Sequence, residues 1–497
     1  MAEQQATGNG RSDLRDTGSG DSSDVSPAIG VRSLEREVEN LELSVDGTIP
    51  DWLRGTLLRN GPAKFDFDGQ TVNHWFDGHA MLHKFEITAG GVTYTNRFLH
   101  SNAHTDAERD GKLNYGEFAT DPCRDLFERV FVLFSPPEPT DNALVNIDRH
   151  ADRFRAMTEA PMPVEFDPET LETIGPFEFD DDLSGRLTTA HPHRDFDRDV
   201  TINYVTQFGR TSRYLVYELE DEDTSRDPIG SVEVEKPAYM HSFGMTERYL
   251  ILAEFPLVVN PLHLRFSSKP FIQNYEWKPD RGVRFNVMDR ETGEVITTLR
   301  TDAFFAFHHV NAFETDGEIV VDIQVYPDAS IIGRLYLDEF RSSNPRFPEF
   351  GESELRRYRL PIDGDEVTQR TLYEGAFDLP NIHYQEYNTR EYDYAYGVSV
   401  HDDRPGDFLN QLVKVDLTSE TATTWYQDGA YPGEPVFVPD PNPDREDDGV
   451  VLSVVLDAVR ERSFLLVLDA RRFVEIGRAE VPHAIPFGLH GQFARHL

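Results

Sequence analysis

Phe304 to Glu314 reads FFAFHHVNAFE, two imidazoles set in an aromatic run of strand-like composition. A run this apolar is expected to be buried. Burial disfavours the charged imidazole, so each ring is expected to be neutral, with a partner for both ring nitrogens. A neutral imidazole keeps one lone pair, which suits a metal ion. A core histidine satisfied by a carbonyl fits the same observation, and His308 or His309 alone does not separate the two.

Three further stretches set histidine among small, apolar or turn residues: TTAHPHRD (Thr188 to Asp195), PAYMHSFGM (Pro237 to Met245) and PFGLHGQF (Pro486 to Phe493). Their leading histidines, His191, His241 and His490, join His308 as candidate ligands. None forms the i, i+4 pair of a zinc-protease helix, and a chain with one cysteine contains no CxxC. A shared metal site therefore has to be assembled from segments far apart in sequence.

Outward from these stretches the chain repeats one pattern. HKFEI (His83 to Ile87), RYLVYELE (Arg213 to Glu220), RYLILAEF (Arg248 to Phe255), EIVVDIQVY (Glu318 to Tyr326), YAYGVSV (Tyr394 to Val400), VVLSVVLDA (Val450 to Ala458) and SFLLVLDA (Ser463 to Ala470) alternate or are rich in β-branched and aromatic residues. These are expected strands. Helical stretches are few, SELRRY (Ser353 to Tyr358) among them, so the fold class is all-β.

Many short strands between Gly, Pro, Asp and Asn turns suit a β-propeller, whose radial repetition leaves only short edges. The candidate histidines are separated by 50, 67 and 182 residues. One histidine from each of four blades, in a ring of about seven blades of about sixty residues, satisfies that spacing. His490 lies close to the terminal Leu497, so the C-terminal tail must be docked.

Composition bounds the rest. The chain has 497 residues, 38% hydrophobic and 11% aromatic, enough for a large core. Against 89 acidic residues stand 48 basic ones, only seven of them Lys, for a net charge of −41. Such a charge repels itself at low ionic strength and is screened by salt. The expectation is a cytoplasmic protein of a salt-accumulating extreme halophile, such as a haloarchaeon. Nucleic acid is excluded as a partner, because no basic stripe exists to neutralise phosphates. The single cysteine, Cys123, excludes an intrachain disulfide and fits a reducing compartment.

Residues 1–33 read as a polar tail, disordered from Met1 to about Ser26 and lacking the basic start and apolar centre of a secretory signal. Residues 34–497 are expected to form one domain. No run approaches about eighteen apolar residues, so membrane contact is expected to be peripheral. Leu126–Phe134 (LFERVFVLF) and Phe255–Phe266 (FPLVVNPLHLRF) are the candidate contact segments; packing beneath a long loop accounts for them equally well. Neither GxSxG, a Walker loop nor a dinucleotide fingerprint is present.

Taken in order, the histidine stretches and their neighbours resemble the carotenoid cleavage oxygenases. GTLLRNGP (Gly55 to Pro62), FDGHAMLHKF (Phe76 to Phe85), DPCRDLF (Asp121 to Phe127), TDNALVNI (Thr140 to Ile147), Thr158-Glu159, EPVFVP (Glu434 to Pro439) and EDDGVVLSVVLDA (Glu446 to Ala458) carry the resemblance from about Gly55 to Phe493. It lies closer to the animal β-carotene and retinoid branch than to the plant or stilbene branches.

The resemblance implies a seven-bladed β-propeller with a loop and helix cap over a substrate tunnel, and an axial Fe(II) held by His191, His241, His308 and His490. His193 and His309 become neighbours of the site. Glu159 would orient His241 and Glu434 would orient His490. The third family glutamate falls at Asp378, one methylene shorter, so either its loop moves inward or water bridges to His308. Thr158 matches a residue bordering the oxygen site. Four neutral imidazoles leave the ion its full charge and, in octahedral geometry, two open positions.

The implied reaction uses dioxygen to cut a double bond of a hydrophobic polyene into two carbonyl products, β-carotene to two retinal molecules being the foremost case. Rival activities on the same scaffold are retinoid isomerisation or hydrolysis and the cleavage of apocarotenoids or stilbenes; a non-catalytic binding propeller is the rival from another class. Trp75, Phe304 and Phe305 are the expected tunnel walls. Cys123 coincides with a lipidation position of the family and is read here as an ordinary thiol.

Overall fold

The alternation seen in the sequence becomes sidedness in the sheets. Along Ser212–Glu220, Tyr214, Val216 and Leu219 turn inward while Arg213 and Glu220 meet solvent. The computed structural model describes residues 26–121, 140–267 and 269–497. Each of the seven stretches expected to be strands lies on one, from His79–Thr88 to Arg462–Asp469.

Between Asn146–His150 and Thr421–Tyr426, four sheets of four strands and one of five follow each other along the chain. The remaining ten-stranded sheet consists of two such units. Val38–Gly47 laces them together, pairing with Val474–Val481 on one side and Gly91–Phe98 on the other. The result is a propeller of seven antiparallel blades. One blade is closed by both ends of the chain, because Gly491–Ala494 pairs with Gly55–Lys64 from Arg59 opposite Gly491 to Thr56 opposite Ala494.

The innermost strand of one blade packs on that of the next: Gly244–Met245 on His309–Thr315, His309–Thr315 on Asp378–Asn381, and Val436–Pro439 on Gly491–Ala494. Buried asparagines tie neighbouring blades, as where Asn60 donates to the carbonyls of Ala143 at 2.8 Å and Asn146 at 3.1 Å. Short helices and loops cover one end of the ring. Their aromatic side chains interlock there, Phe408 stacked on Phe487 at 4.4 Å and Trp75 edge-on to Phe408 at 5.7 Å.

Three expectations are corrected. SELRRY is not helical: Glu354–Pro361 is a strand between Glu318–Val325 and Thr368–Tyr373. Its Glu, Leu and Arg favour a helix in isolation. Here Leu355 and Tyr358 enter the core, and Arg357 is buried because its guanidinium grips Asp322 through two 2.8 Å hydrogen bonds.

The polar tail does not reach residue 33. Pro27–Val31 forms a 3-10 turn capped by Ser26, and Ile29 and Val31 are buried in the main core. Of Phe255–Phe266, the half from Phe255 to Val259 is core, and the apolar Leu262 and Phe266, 64% and 63% exposed on the helix Pro261–Phe266, face outward. Leu126–Phe134 and Cys123 lie outside the described residues. Among the described residues no helix is long and apolar enough to cross a membrane.

Candidate metal centre

The blade register decides where each chemical side chain falls. His308 and His490 directly precede the innermost strands His309–Thr315 and Gly491–Ala494; His191 and His241 stand just before His193–Asp195 and Gly244–Met245. Asp378 opens Asp378–Asn381, and Glu434 stands just before Val436–Pro439. Six of seven blades thus deliver a histidine or a carboxylate to one end of the axis at the entry to their innermost strand. The seventh brings the apolar Leu144 and Val145 ahead of Asn146–His150 and delivers its carboxylate, Glu159, from the loop after Arg153–Met157.

One ring nitrogen from each of His191, His241, His308 and His490 lies within 4.8 Å of all the others. Nε2 of His191 is 2.9 Å from Nε2 of His241, and Nε2 of His308 is 3.2 Å from Nε2 of His490. The opposite nitrogens are committed elsewhere. Nδ1 of His241 donates to Glu159 at 2.7 Å, Nδ1 of His308 to Asp378 at 2.7 Å, and Nδ1 of His490 to Glu434 at 2.8 Å. A carboxylate only accepts, so each of these three rings carries a proton on Nδ1, and as a neutral imidazole presents a lone pair at Nε2.

His308 and His490 therefore point two lone pairs at each other across 3.2 Å. Such an arrangement is repulsive unless a cation sits among them. Protons do not fill that role easily. Burial pushes His308 down to about 4 even though Asp378 pulls the other way, and burial together with the neighbouring imidazoles holds His191 well below the usual histidine range. Neutral nitrogen donors with open lone pairs are the donor set of a transition-metal ion.

The aspartate at the third position makes its contact directly, with no bridging water needed. Its second oxygen accepts from Tyr326 Oη at 2.6 Å. Burial alone would raise Asp378, but the hydrogen bonds from His308 and Tyr326 hold its carboxyl below the ordinary carboxylate range. Glu159 also accepts from a phenol, Tyr239 Oη at 2.8 Å, on the same oxygen that meets His241. Glu434 is gripped instead by the guanidinium of Arg59 and by the backbone N–H of Gly491 at 3.1 Å; His490 and Arg59 hold it below its usual range against the effect of burial.

Tyr239, Tyr326 and Arg59 were missed by sequence reasoning. Arg59 left a trace, since a cation inside the buried strand Gly55–Lys64 requires a partner. Among the described residues, the hydrogen-bond partners of the three carboxylates include one permanent cation, Arg59. Three carboxylates and one guanidinium leave two negative charges, which a divalent ion neutralises.

His193 and His309 take the supporting places expected. His193 bonds Tyr384 Oη at 2.9 Å and the Phe243 carbonyl at 2.8 Å, and His309 bonds Ser242 Oγ at 2.8 Å. The cavity onto which His241, His308 and His490 open is walled by Trp75, Phe76, Phe118, Phe307, Leu335, Phe350 and Leu409, with Thr158 at its edge. Trp75 is a wall as expected, whereas Phe304 and Phe305 are not. Phe304 stacks on Tyr358 at 5.0 Å, and Phe305 packs edge-on against Phe307 at 4.9 Å, whose ring lines the cavity.

The retinal pigment epithelial membrane protein family model matches residues 31–495. The chain is 34% identical to the mitochondrial carotenoid-cleaving dioxygenase of Macaca fascicularis, with 93% of each covered, and 35% identical to the carotenoid isomerooxygenase of Galleria mellonella, with 94% of this chain and 96% of that relative covered. The solved structure of a cobalt-substituted Synechocystis ACO, an apocarotenoid oxygenase, superposes with a TM-score of 0.82 at 28% identity over 94% of this chain and 99% of that one. With the match running through all seven blades and every residue of the histidine cluster, this chain belongs to the retinal pigment epithelial membrane protein family of carotenoid oxygenases.

Proposed function

We propose that His191, His241, His308 and His490 hold Fe(II), and that the protein is a dioxygenase cleaving β-carotene at its central double bond to two molecules of retinal. The observation that carries the reading is the pair of facing lone pairs on His308 and His490, backed by Asp378 and Glu434 and opening onto an aromatic cavity. When bound, the ion supplies the redox chemistry by which dioxygen adds across a double bond.

The chain's own residues do the rest. Glu159, Asp378 and Glu434 fix the tautomer and direction of three imidazoles. Phe76, Phe118, Phe307 and Phe350 exclude water and offer faces to a polyene. Thr158, 8% exposed, borders the dioxygen end. Leu262 and Phe266, exposed on the helix Pro261–Phe266, support peripheral contact with the membrane that stores such substrates. The excess of acidic over basic residues supports a salt-rich cytoplasm as the setting of the enzyme.

The test is aerobic incubation of ferrous-loaded protein with detergent-dispersed β-carotene in molar salt, with products identified by chromatography and mass spectrometry. Retinal as the single product is the expected outcome. A pair of unequal apocarotenals moves the scissile bond, and unchanged β-carotene with iron bound overturns the substrate.

A further inference from the structure

We propose that Arg59 sets the charge of the metal centre, making it neutral with a divalent ion and so favouring the ferrous over the ferric state. This inference rests on the reading of the four histidines as an iron site. Arg59 itself does not line the cavity. It is 4% exposed, and its two terminal nitrogens reach Glu434 and, at 2.6 Å, the carbonyl of Leu489, the residue before His490.

The three carboxylates behind the imidazoles are not equivalent. Glu159 and Asp378 take their second hydrogen bond from neutral phenols, Tyr239 and Tyr326, whereas Glu434 takes its own from a guanidinium. A hydrogen bond does not cancel a charge; a guanidinium does. Without Arg59 the surroundings would carry three negative charges and match a trivalent ion. With it they carry two. In a buried site such a difference is only weakly screened by salt. Arg59 is therefore a positioning residue with an electrostatic consequence: it pins the strand that carries His490 and holds back the stabilisation that a third uncompensated carboxylate would give to Fe(III).

Charge and geometry are separated by Arg59→Met, Arg59→Lys, Glu434→Gln and the double variant Arg59→Met/Glu434→Gln. Metal uptake is read from the visible absorption of bound Co(II), and the Fe(III)/Fe(II) midpoint potential from a spectroelectrochemical titration. Arg59→Met should lower the potential, shifting the ferric-to-ferrous preference by about tenfold or more. Glu434→Gln should raise it, Arg59→Lys should leave it near the wild-type value, and the double variant, which again has two uncompensated charges, should return towards wild type.

Shifts of Arg59→Met and Glu434→Gln in the same direction, no shift in either, or a double variant further from wild type than both singles would overturn the proposal. If Arg59→Met takes up no Co(II), Arg59→Lys decides: a wild-type potential supports the charge role, and a displaced potential or absent metal makes the role purely structural. A wild-type protein that binds neither Co(II) nor iron is a different failure, that of the metal-site reading itself.

Discussion

Asp378 shows how much one methylene matters at the residue scale. The shorter carboxylate reaches His308 directly because the residue opens an innermost strand, and Tyr326 completes its hydrogen bonding from the neighbouring blade. Asp378→Asn keeps the shape and loses the charge. It is expected to weaken metal binding about 10- to 100-fold, the usual cost of losing an outer partner of a ligand histidine, as measured by Co(II) titration. His308→Ala and His490→Ala each remove a donor outright; both are expected to yield protein without stoichiometric iron and without turnover, and a fully active, iron-replete variant would remove the ligand assignment. These residues were legible because histidine in an apolar stretch is uncommon enough to notice. Tyr239 and Tyr326 were not, since a tyrosine in a strand is ordinary until its hydroxyl is seen to meet a carboxylate.

At the scale of the element, the same strand edges that close the ring carry the site. Gly491–Ala494 pairs with Gly55–Lys64, Asn60 accepts from Leu489 N–H at 3.0 Å, and its own N–H donates to the His490 carbonyl at 2.9 Å. Truncation from Gly488 onward should therefore abolish metal binding and also expose an unpaired strand edge, visible as aggregation in size-exclusion chromatography. The N-terminal side makes a sharper contrast. Deleting residues 1–25 is expected to leave the melting temperature unchanged, whereas deletion through Ser33 removes Ile29 and Val31 from the core, at about 1.5–3 kcal/mol each. The turn also packs without spare room: a Cβ on Gly30 would lie 2.3 Å from the Phe487 ring. Polarity made this stretch look like tail, and the few apolar side chains in it proved to be anchors.

Charge governs behaviour at the scale of the whole molecule. With a net charge of −41 the folded protein repels itself, so its melting temperature should rise steadily from low to molar salt. Acidity adds a second dependence. Burial lowers His74 and His83 to about 3, and His104 and His483 to about 4, from an ordinary value of 6.5. The unfolded chain binds more protons than the native one between those values, so stability is lost as pH falls below 6.5. Burial raises Asp77 to about 7 and Glu117 to about 8, so these two carboxyls remove stability as pH rises from their ordinary values through that range. The histidines outnumber them, and metal-free protein in constant molar salt should show a thermal-stability maximum near pH 6.5, with the steeper decline on the acid side.

What the sequence determined by itself is local in origin: the all-β class from alternation, the blade-like repetition from strand and turn spacing, the acidic surface from composition, and the four histidines from their setting. Resemblance added the glutamates and Thr158. Only the tertiary structure decided which side chains share a space, because that depends on how seven strand entries line up around one axis and on register between segments hundreds of residues apart. That is why Phe307 and not Phe305 faces the cavity, why Glu354–Pro361 is a strand despite its helix-favouring residues, and why Arg59, at the opposite end of the chain from Glu434 and His490, is the cation that balances them.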